Sequence, residues 1–169
     1  MHGPIVPEIL EIPAQKMAVV RTTGDPNTEG PRAMTALYSA VYSLKFALKK
    51  RGKDLKIGPL RARWPNAHLV PRDEWVGIWA LQIPDDTDAL SPKVPGLSVS
   101  VDLWQYGTVA QLLHVGPYST EGPTVQHLHE FIAAAGYRID GAHEEEYLTK
   151  PGARQQKTLI RYPVRLVEE

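Results

Sequence analysis

The chain has 169 residues, 43% apolar and 22% charged, with a formal net charge of +0. That length suits one domain able to bury about 70% of its unfolded surface, and the balanced charge removes the electrostatic footprint of a nucleic-acid binder. There is no Cys, which excludes disulfides, thiolate metal sites and a Cys nucleophile. No apolar run approaches the ~18–20 residues of a membrane span and no secretory leader is recognisable, so a cytoplasmic protein is expected.

Met1 to Pro13 holds Pro4, Pro7 and Pro13 and reads as an extended lead-in. Met17 to Thr22 is a short buried strand. Gly24-Asp25-Pro26-Asn27 is a turn, Thr28 or Glu29 offers a cap, and Pro31 suits a first helical turn, where its missing N–H costs nothing. Met34, Leu37, Val41, Leu44 and Leu48 then form a stripe at helical spacing, edged by Tyr38 and Tyr42. Gly52 ends the helix in a basic tail (Lys45, Lys49, Lys50, Arg51, Lys53), as the helix dipole favours.

Strands are expected over Lys56 to Trp64 and Glu74 to Ile83, followed by a Pro/Asp loop from Pro84 to Gly96. Leu97 to Tyr106 alternates polar and apolar, and Thr108 to Val115 follows after Gly107, which predicts a hairpin between the two. A second helix is expected from Pro123 to Ala135, with Val125, Leu128, Phe131, Ile132 and Ala135 as its stripe and Gly136 at a left-handed cap. Strands over Ala142 to Thr149 and Lys157 to Val167 follow, with Pro151-Gly152 in the turn between them. The total is about eight strands and two helices. It is an α+β pattern in which both helices can lie on one face of a single antiparallel sheet, leaving the other face free.

A fragment repeats. Thr28-Glu29-Gly30-Pro31 recurs as Thr120-Glu121-Gly122-Pro123, an offset of 92 residues, and at that offset Gly24 meets Gly116 and Ala18 meets Ala110. A period this long indicates two copies of half a domain rather than a solenoid. The expectation is a single domain over 1–169 made of two pseudo-symmetric halves, about 1–93 and 97–169.

Nucleophile elbows, Walker loops and dinucleotide fingerprints are absent. Of His114, His127, His129 and His143, the pair on the second helix points about 200° apart at 3.6 residues per turn, and no metal-ligand spacing is present. Neither metal nor cofactor is expected. In Glu144-Glu145-Glu146-Tyr147-Leu148, strand alternation puts Glu145 and Tyr147 on one face and Glu144 and Glu146 on the other. On spacing alone, three consecutive acids read as a solvated edge. Against that stand several large rings outside any helical stripe: Trp64, Trp75, Trp79, Trp104, Tyr106 and Tyr118. An uncovered sheet face either exposes such rings or lines a cleft with them.

The pieces Pro7–Pro13, Leu37–Phe46 (L-Y-S-A-V-Y-S-L-K-F), Pro59–Trp64 (P-L-R-A-R-W), Trp104–Tyr118, His143–Leu148 (H-E-E-E-Y-L) and Tyr162–Val164 together resemble the GyrI-like small-molecule-binding family, the drug sensor of multidrug-responsive transcription regulators. The resemblance implies a tandem β-α-β-β duplication, one antiparallel sheet with two helices on one face, and a ligand groove on the pseudo-dyad. Carried over, Glu145 matches the acid that the sensors set against cationic drugs, and Tyr147 matches the tyrosine beside it. Rings around a bound cation contribute about 0.5–2 kcal/mol each.

The Leu37–Phe46 and Pro59–Trp64 pieces resemble a stand-alone branch, some of whose members are similar to hydrolases that open the cyclopropane ring of DNA-alkylating natural products in an aromatic cage. Where that branch has Glu followed by Gly-Leu-Trp-Trp, this chain has Arg61-Ala62-Arg63-Trp64-Pro65, placing a cation where an acid stands. The expected ligand-binding residues are Glu145, Tyr147, Trp64, Trp104, Tyr118, Tyr38, Tyr42, Trp79 and Arg61. Glu145 and Tyr147 are the catalytic candidates if the chain is an enzyme. Binding of a flat, aromatic, cationic molecule is the first reading and hydrolysis the alternative. The expected partner is a small molecule, with neither nucleic acid nor membrane, and the chain is expected to be a monomer or weak homodimer.

Overall fold

The computed structural model describes residues 5–91, 95–150 and 152–168. Pro4 of the lead-in, positions 92–94 of the Pro/Asp loop and Pro151 of the last turn lie outside the described residues. In chain order the elements are β1 (Glu8–Ile12), β2 (Gln15–Thr23), α1 (Pro26–Lys50), β3 (Leu60–Trp64), β4 (Val76–Gln82), β5 (Ser100–Trp104), β6 (Gly107–Val115), α2 (Gly122–Ala134), β7 (Tyr137–Ile139), β8 (His143–Tyr147) and β9 (Lys157–Leu166). Short 3-10 turns occupy Arg72–Glu74 and Tyr118–Thr120. The class is α+β, and the strand pairings described are antiparallel. Two compact units divide the chain, Ala14–Gln105 and Met1–Pro13 with Tyr106–Glu169.

In the Ala14–Gln105 unit the strands run in the order β3-β4-β2-β5. α1 lies against β2 and β4, burying Gly30, Ala33, Ala36, Leu37, Ala40 and Val41. The helix begins earlier than Pro31 suggested. The carboxylate of Asp25, rather than Thr28 or Glu29, caps it by accepting from the Asn27 N–H at 2.9 Å, and Pro26 takes the first helical position, where no donor is lost. β3 is shorter than the run from Lys56 predicted. Gly58 and Pro59 precede it, and Pro59 has no N–H to give a ladder.

The other unit orders its strands β1-β6-β9-β8, with β7 added to β9. Ala110 and Leu112 of β6 and Ile160, Tyr162 and Val164 of β9 pack with Leu128 and Ile132 of α2 to form its core. Gly136 ends the helix at φ +82°, in the left-handed region that spares only glycine a steric cost. Two strands went unrecognised in the sequence. β1 is hidden in the lead-in, framed by Pro7 and Pro13, and the three residues of β7 are too few to show a period.

The predicted hairpin between the fifth and sixth strands is corrected. β5 pairs with β2 and β6 pairs with β1 and β9, so the two strands belong to different units and form no hairpin, and Gly107 (φ +65°) opens β6 rather than closing a turn between them. β5 starts 92 residues after β1, and β6 starts 92 residues after β2. The two strand orders, β5-β2-β4-β3 and β1-β6-β9-β8, therefore match element for element, and each unit takes its outer strand from the other sequence repeat. Among the described residues no helix is long and apolar enough to cross a membrane.

Among the described glycines of the Ala14–Gln105 unit, Gly77 has the least room for a side chain. A Cβ there would lie 2.7 Å from Trp79 Nε1, 2.9 Å from Thr22 Oγ1 and 3.1 Å from the Trp64 ring, and Trp79 Nε1 donates to that same Thr22 hydroxyl at 2.9 Å. Gly77→Ala should lower stability by about 2–4 kcal/mol, combining overpacking with a weakened buried hydrogen bond. Gly58→Ala, which meets nothing within 4 Å, should stay within about 0.5 kcal/mol of wild type. Urea denaturation of the two variants checks the contrast, and equal midpoints would contradict it.

Candidate functional site

Residues directly opposite across a ladder share a face. Glu145 on β8 stands opposite Ile160 on β9, and Ile160 packs with Leu128 and Ile132 of α2. His143, Glu145 and Tyr147 therefore belong to the face that α2 covers. Glu144, opposite Arg161, and Glu146, opposite Leu159, belong to the other face. All three acids are buried, with exposures of 2%, 8% and 7% from Glu144 to Glu146. The solvated edge that an acidic run suggests is thus corrected, because each face supplies its own partners.

On the face away from α2 those partners include a cation. Arg161 Nη1 lies 2.5 Å from Glu144 Oε2 and Nη2 lies 3.9 Å from Glu146 Oε2. Its Nε donates to Gln111 Oε1 at 3.0 Å, while the Gln111 amide donates to Glu8 at 2.7 Å. The Tyr106 hydroxyl donates to both Glu144 oxygens at 3.1 Å.

On the α2 face the partners are of another kind. His143 Nε2 is 2.9 Å from Glu145 Oε1, and its Nδ1 is 2.5 Å from the Tyr162 hydroxyl. The Tyr147 hydroxyl donates to Glu145 Oε2 at 2.8 Å. Glu121, the residue before α2, brings its Oε1 to 3.8 Å from His143 Nε2, and it makes no capping bond to its own helix. The His129 ring meets Tyr162 edge-on at 5.0 Å. Tyr118 meets Tyr147 edge-on at 5.8 Å and is itself 53% exposed, so a ring reachable from solvent abuts the buried one.

His114 fixes the turn that delivers Tyr118 and Glu121. It is buried, with Nε2 3.0 Å from the Pro117 carbonyl and Nδ1 2.7 Å from Thr124 Oγ1. A carbonyl only accepts, so the proton sits on Nε2 and Nδ1 accepts from the Thr124 hydroxyl.

The two carboxylates are pushed apart. Burial, then a hydrogen bond and charge repulsion from Glu145, raise Glu121 to about 9. Burial also pushes Glu145 upward, but hydrogen bonds with His143, Glu121 and Tyr147 and the charge of His143 outweigh it and leave Glu145 below the usual carboxylate range. Burial foremost, with Glu145 next, holds Tyr147 well above an ordinary phenol. Near neutral pH the cluster thus contains one carboxylate, one carboxylic acid and neutral phenols. The ligating atoms of Glu121, His143 and Glu145 all lie within 4.8 Å of one another, so these three residues are the set with which the site can hold a metal.

The remaining expected residues sit in the Ala14–Gln105 unit. Trp64 and Trp79 lie on the face that α1 covers. Trp79 presses on Gly30 of the helix, and Trp64 meets Trp79 at 5.1 Å and Trp75 at 5.7 Å. Arg61, opposite Ala80, is on the other face and donates to Gln15 Oε1 at 2.6 Å. Trp104 lies under the Arg63 guanidinium at 3.6 Å. Tyr38 and Tyr42 are 6.4 Å apart on α1, and Tyr42 leads on to exposed Phe46. Of the expected residues, the cluster on β8 gathers Glu145, Tyr147 and Tyr118. It adds Glu121, His143 and Tyr162, which sequence reasoning did not join to them. The alternation His143-x-Glu145-x-Tyr147 already placed three of these on one face, whereas no spacing rule reaches Glu121.

Residues 6–165 match the model of the GyrI-like small molecule binding domain, and the chain belongs to that family. Among solved structures it is similar to an uncharacterized conserved protein from Listeria innocua, with a TM-score of 0.84, 26% identity, and 96% of this chain and 93% of that one covered. It is also similar to a hydrolase from Listeria innocua, with a TM-score of 0.81, 26% identity, and 97% and 94% covered. The C-terminal domain of EcmrR shares the fold at 13% identity, with a TM-score of 0.67 and 95% and 98% covered. No curated protein matches the sequence.

Glu121 also sets a pH dependence. Its folded value of about 9 lies above the ordinary 4.5, so the folded state holds a proton that the unfolded state releases. The contribution of this group to stability therefore falls as pH rises between those two values and levels off above about 9. Melting temperature measured by circular dichroism should decline from pH 6 to 9 in the wild type and stay nearly flat in Glu121→Gln. Parallel profiles would contradict this assignment.

Proposed function

We propose that this chain binds flat, aromatic, positively charged small molecules, with Glu145 as the counter-charge and Tyr147 and Tyr118 as the rings that stack on the ligand. The observation that carries the reading is a carboxylate kept ionised in a buried position, where its partners are an imidazole, a phenol and a second acid. A buried charge is costly without a cation, and aromatic faces beside it favour an organic cation over a hydrated one. We place the protein in the cytoplasm, acting on soluble ligands as a monomer or weak homodimer.

Fluorescence anisotropy with a panel of cationic aromatic dyes tests the reading. Saturable binding is expected, with Glu145→Gln weakening it about 30-fold or more, the loss associated with removing one partner of a buried charge pair. Absence of binding across the panel, or an unchanged affinity in Glu145→Gln, would refute it.

A second reading, hydrolysis, is favoured by one specific observation, the opposed carboxylates Glu121 and Glu145. Environments that drive two acids apart assign one as acid and the other as base. In this reading Glu145 takes a proton from a water whose oxygen bonds to a cyclopropane carbon. The strained C–C bond breaks, and Glu121 delivers its proton to the leaving end. The similarity to a hydrolase from Listeria innocua supports this reading, while Arg61 and Pro65, where the ring-opening branch has Glu and Trp, weigh for binding alone. With a cyclopropane-bearing alkylator as substrate, Glu121→Gln and Glu145→Gln should each lower kcat by about 10²–10⁴. Product formation no faster than in buffer would eliminate the hydrolytic reading and leave the binding one in place.

A further inference from the structure

We infer that Glu121, His143 and Glu145 form a site for a single divalent transition-metal ion of the borderline class that includes Zn²⁺ and Co²⁺. The inference goes beyond the organic-cation reading and does not rest on it, although Glu145 takes part in both.

Two different parts of the Tyr106–Glu169 unit contribute donors. Glu121 comes from the residue before α2, His143 from the start of β8, and Glu145 from the same strand face two residues on. The separations suit a small ion. Bonds of about 2.1 Å in a tetrahedron put ligand atoms about 3.4 Å apart, and the distances from His143 Nε2 to the two carboxylates, 2.9 Å and 3.8 Å, bracket that value.

The surrounding groups are those a metal-bound histidine requires. An imidazole that ligates through one nitrogen usually donates its other N–H to an oxygen, and the Tyr162 hydroxyl waits 2.5 Å from Nδ1. Tyr147 holds Glu145 by Oε2, which leaves Oε1, the oxygen nearer His143, to ligate. An independent observation is Glu121 Oε2, which is buried and, among the described residues, accepts no hydrogen bond from any N–H or O–H outside the carboxyl pair it forms with Glu145. Such an orphaned acceptor is uncommon and calls for an explanation, and an ion between the three side chains supplies one.

Charge and donor type agree. Once the ion displaces the proton that Glu121 shares with Glu145, two carboxylates and a neutral imidazole carry −2, which one divalent ion cancels. Imidazole with carboxylate favours Zn²⁺ or Co²⁺ over Mg²⁺ and Ca²⁺, whose sites are built from oxygen alone. Three protein ligands leave a coordination position for water or a substrate atom, as in catalytic rather than structural sites.

Chelator-treated wild-type protein titrated with Co²⁺ gives the direct test. Visible bands of a four- or five-coordinate ion should appear and saturate at one equivalent, and Zn²⁺ should remove them. His143→Ala and Glu121→Gln should each weaken binding at least tenfold. Tyr162→Phe, which removes only the outer partner, should weaken it by about 10–100-fold, and His127→Ala, on the exposed side of α2, should leave it unchanged. A spectrum no different from Co²⁺ in buffer overturns the inference, as does full affinity in His143→Ala. If His143→Ala fails to fold, the wild-type spectrum and Tyr162→Phe still decide the matter. A parallel dye titration separates the two proposals. Metal binding lost with dye binding intact removes the metal site only, and the reverse removes the organic-cation reading only.

Discussion

A strand that buries three consecutive glutamates must find partners on both of its faces, and β8 is built under that constraint. Glu144 and Glu146 meet Arg161, fixed in turn by Gln111. Glu145 meets His143, Tyr147 and Glu121. The alternation of a strand turns one acidic tripeptide into two sites of different character. One is an acid-rich network closed around a permanent cation. The other has, among the described residues, a histidine as its basic partner.

The repeat explains how the second face arose from the same plan as an inert one. Gly24 and Gly116 occupy equivalent positions with φ +137° and +131°, and Glu29 and Glu121 follow each glycine at the same distance. In the first copy Glu29 is neutralised by Arg32, one helical turn on, at 2.8 Å. In the second copy Thr124 stands where Arg32 does, and its hydroxyl goes to His114. Glu121 has lost the helix cation that satisfies its counterpart, and it turns toward His143 instead. Arg32 and Thr124 differ between the two copies, as do Asp25-Pro26-Asn27 and Pro117-Tyr118-Ser119, and the acid that pairs with Arg32 in one copy lies beside His143 in the other. This is a reason to place chemistry in the second repeat rather than the first.

Much of this was legible before any coordinates. Helical spacing located α1 and α2 because each buries one stripe, and the 92-residue offset foretold the matching strand orders. Alternation put Glu145 and Tyr147 on one face. The failures have a common cause, since local pattern does not encode pairing. Gly107 between two alternating runs looked like a hairpin, but β5 pairs with β2 and β6 with β1 and β9, contacts between strands whose pairing no local pattern records. β1 offered no signal because five residues between prolines have no period to read. The burial of Glu144 to Glu146 depends on Arg161, Gln111 and Tyr106 arriving from other strands, and propensity, which disfavours such a run, was overridden by those partners.

Glu121 was the least legible residue and the most consequential. Its position before a Gly-Pro helix start reads as an ordinary helix-end acid, where the dipole would favour the ionised form. Instead burial and the neighbouring Glu145 raise it to about 9, so desolvation and like charge outweigh the helix end. A protonated acid beside an ionised one is a pair that a cation can open, because an arriving positive charge repays the loss of the shared proton. Organic ammonium groups and divalent metals act through that same exchange. They differ in what else they need, aromatic faces in one case and an imidazole lone pair in the other, and the cluster provides Tyr147 with Tyr118 for the first and His143 with Tyr162 for the second.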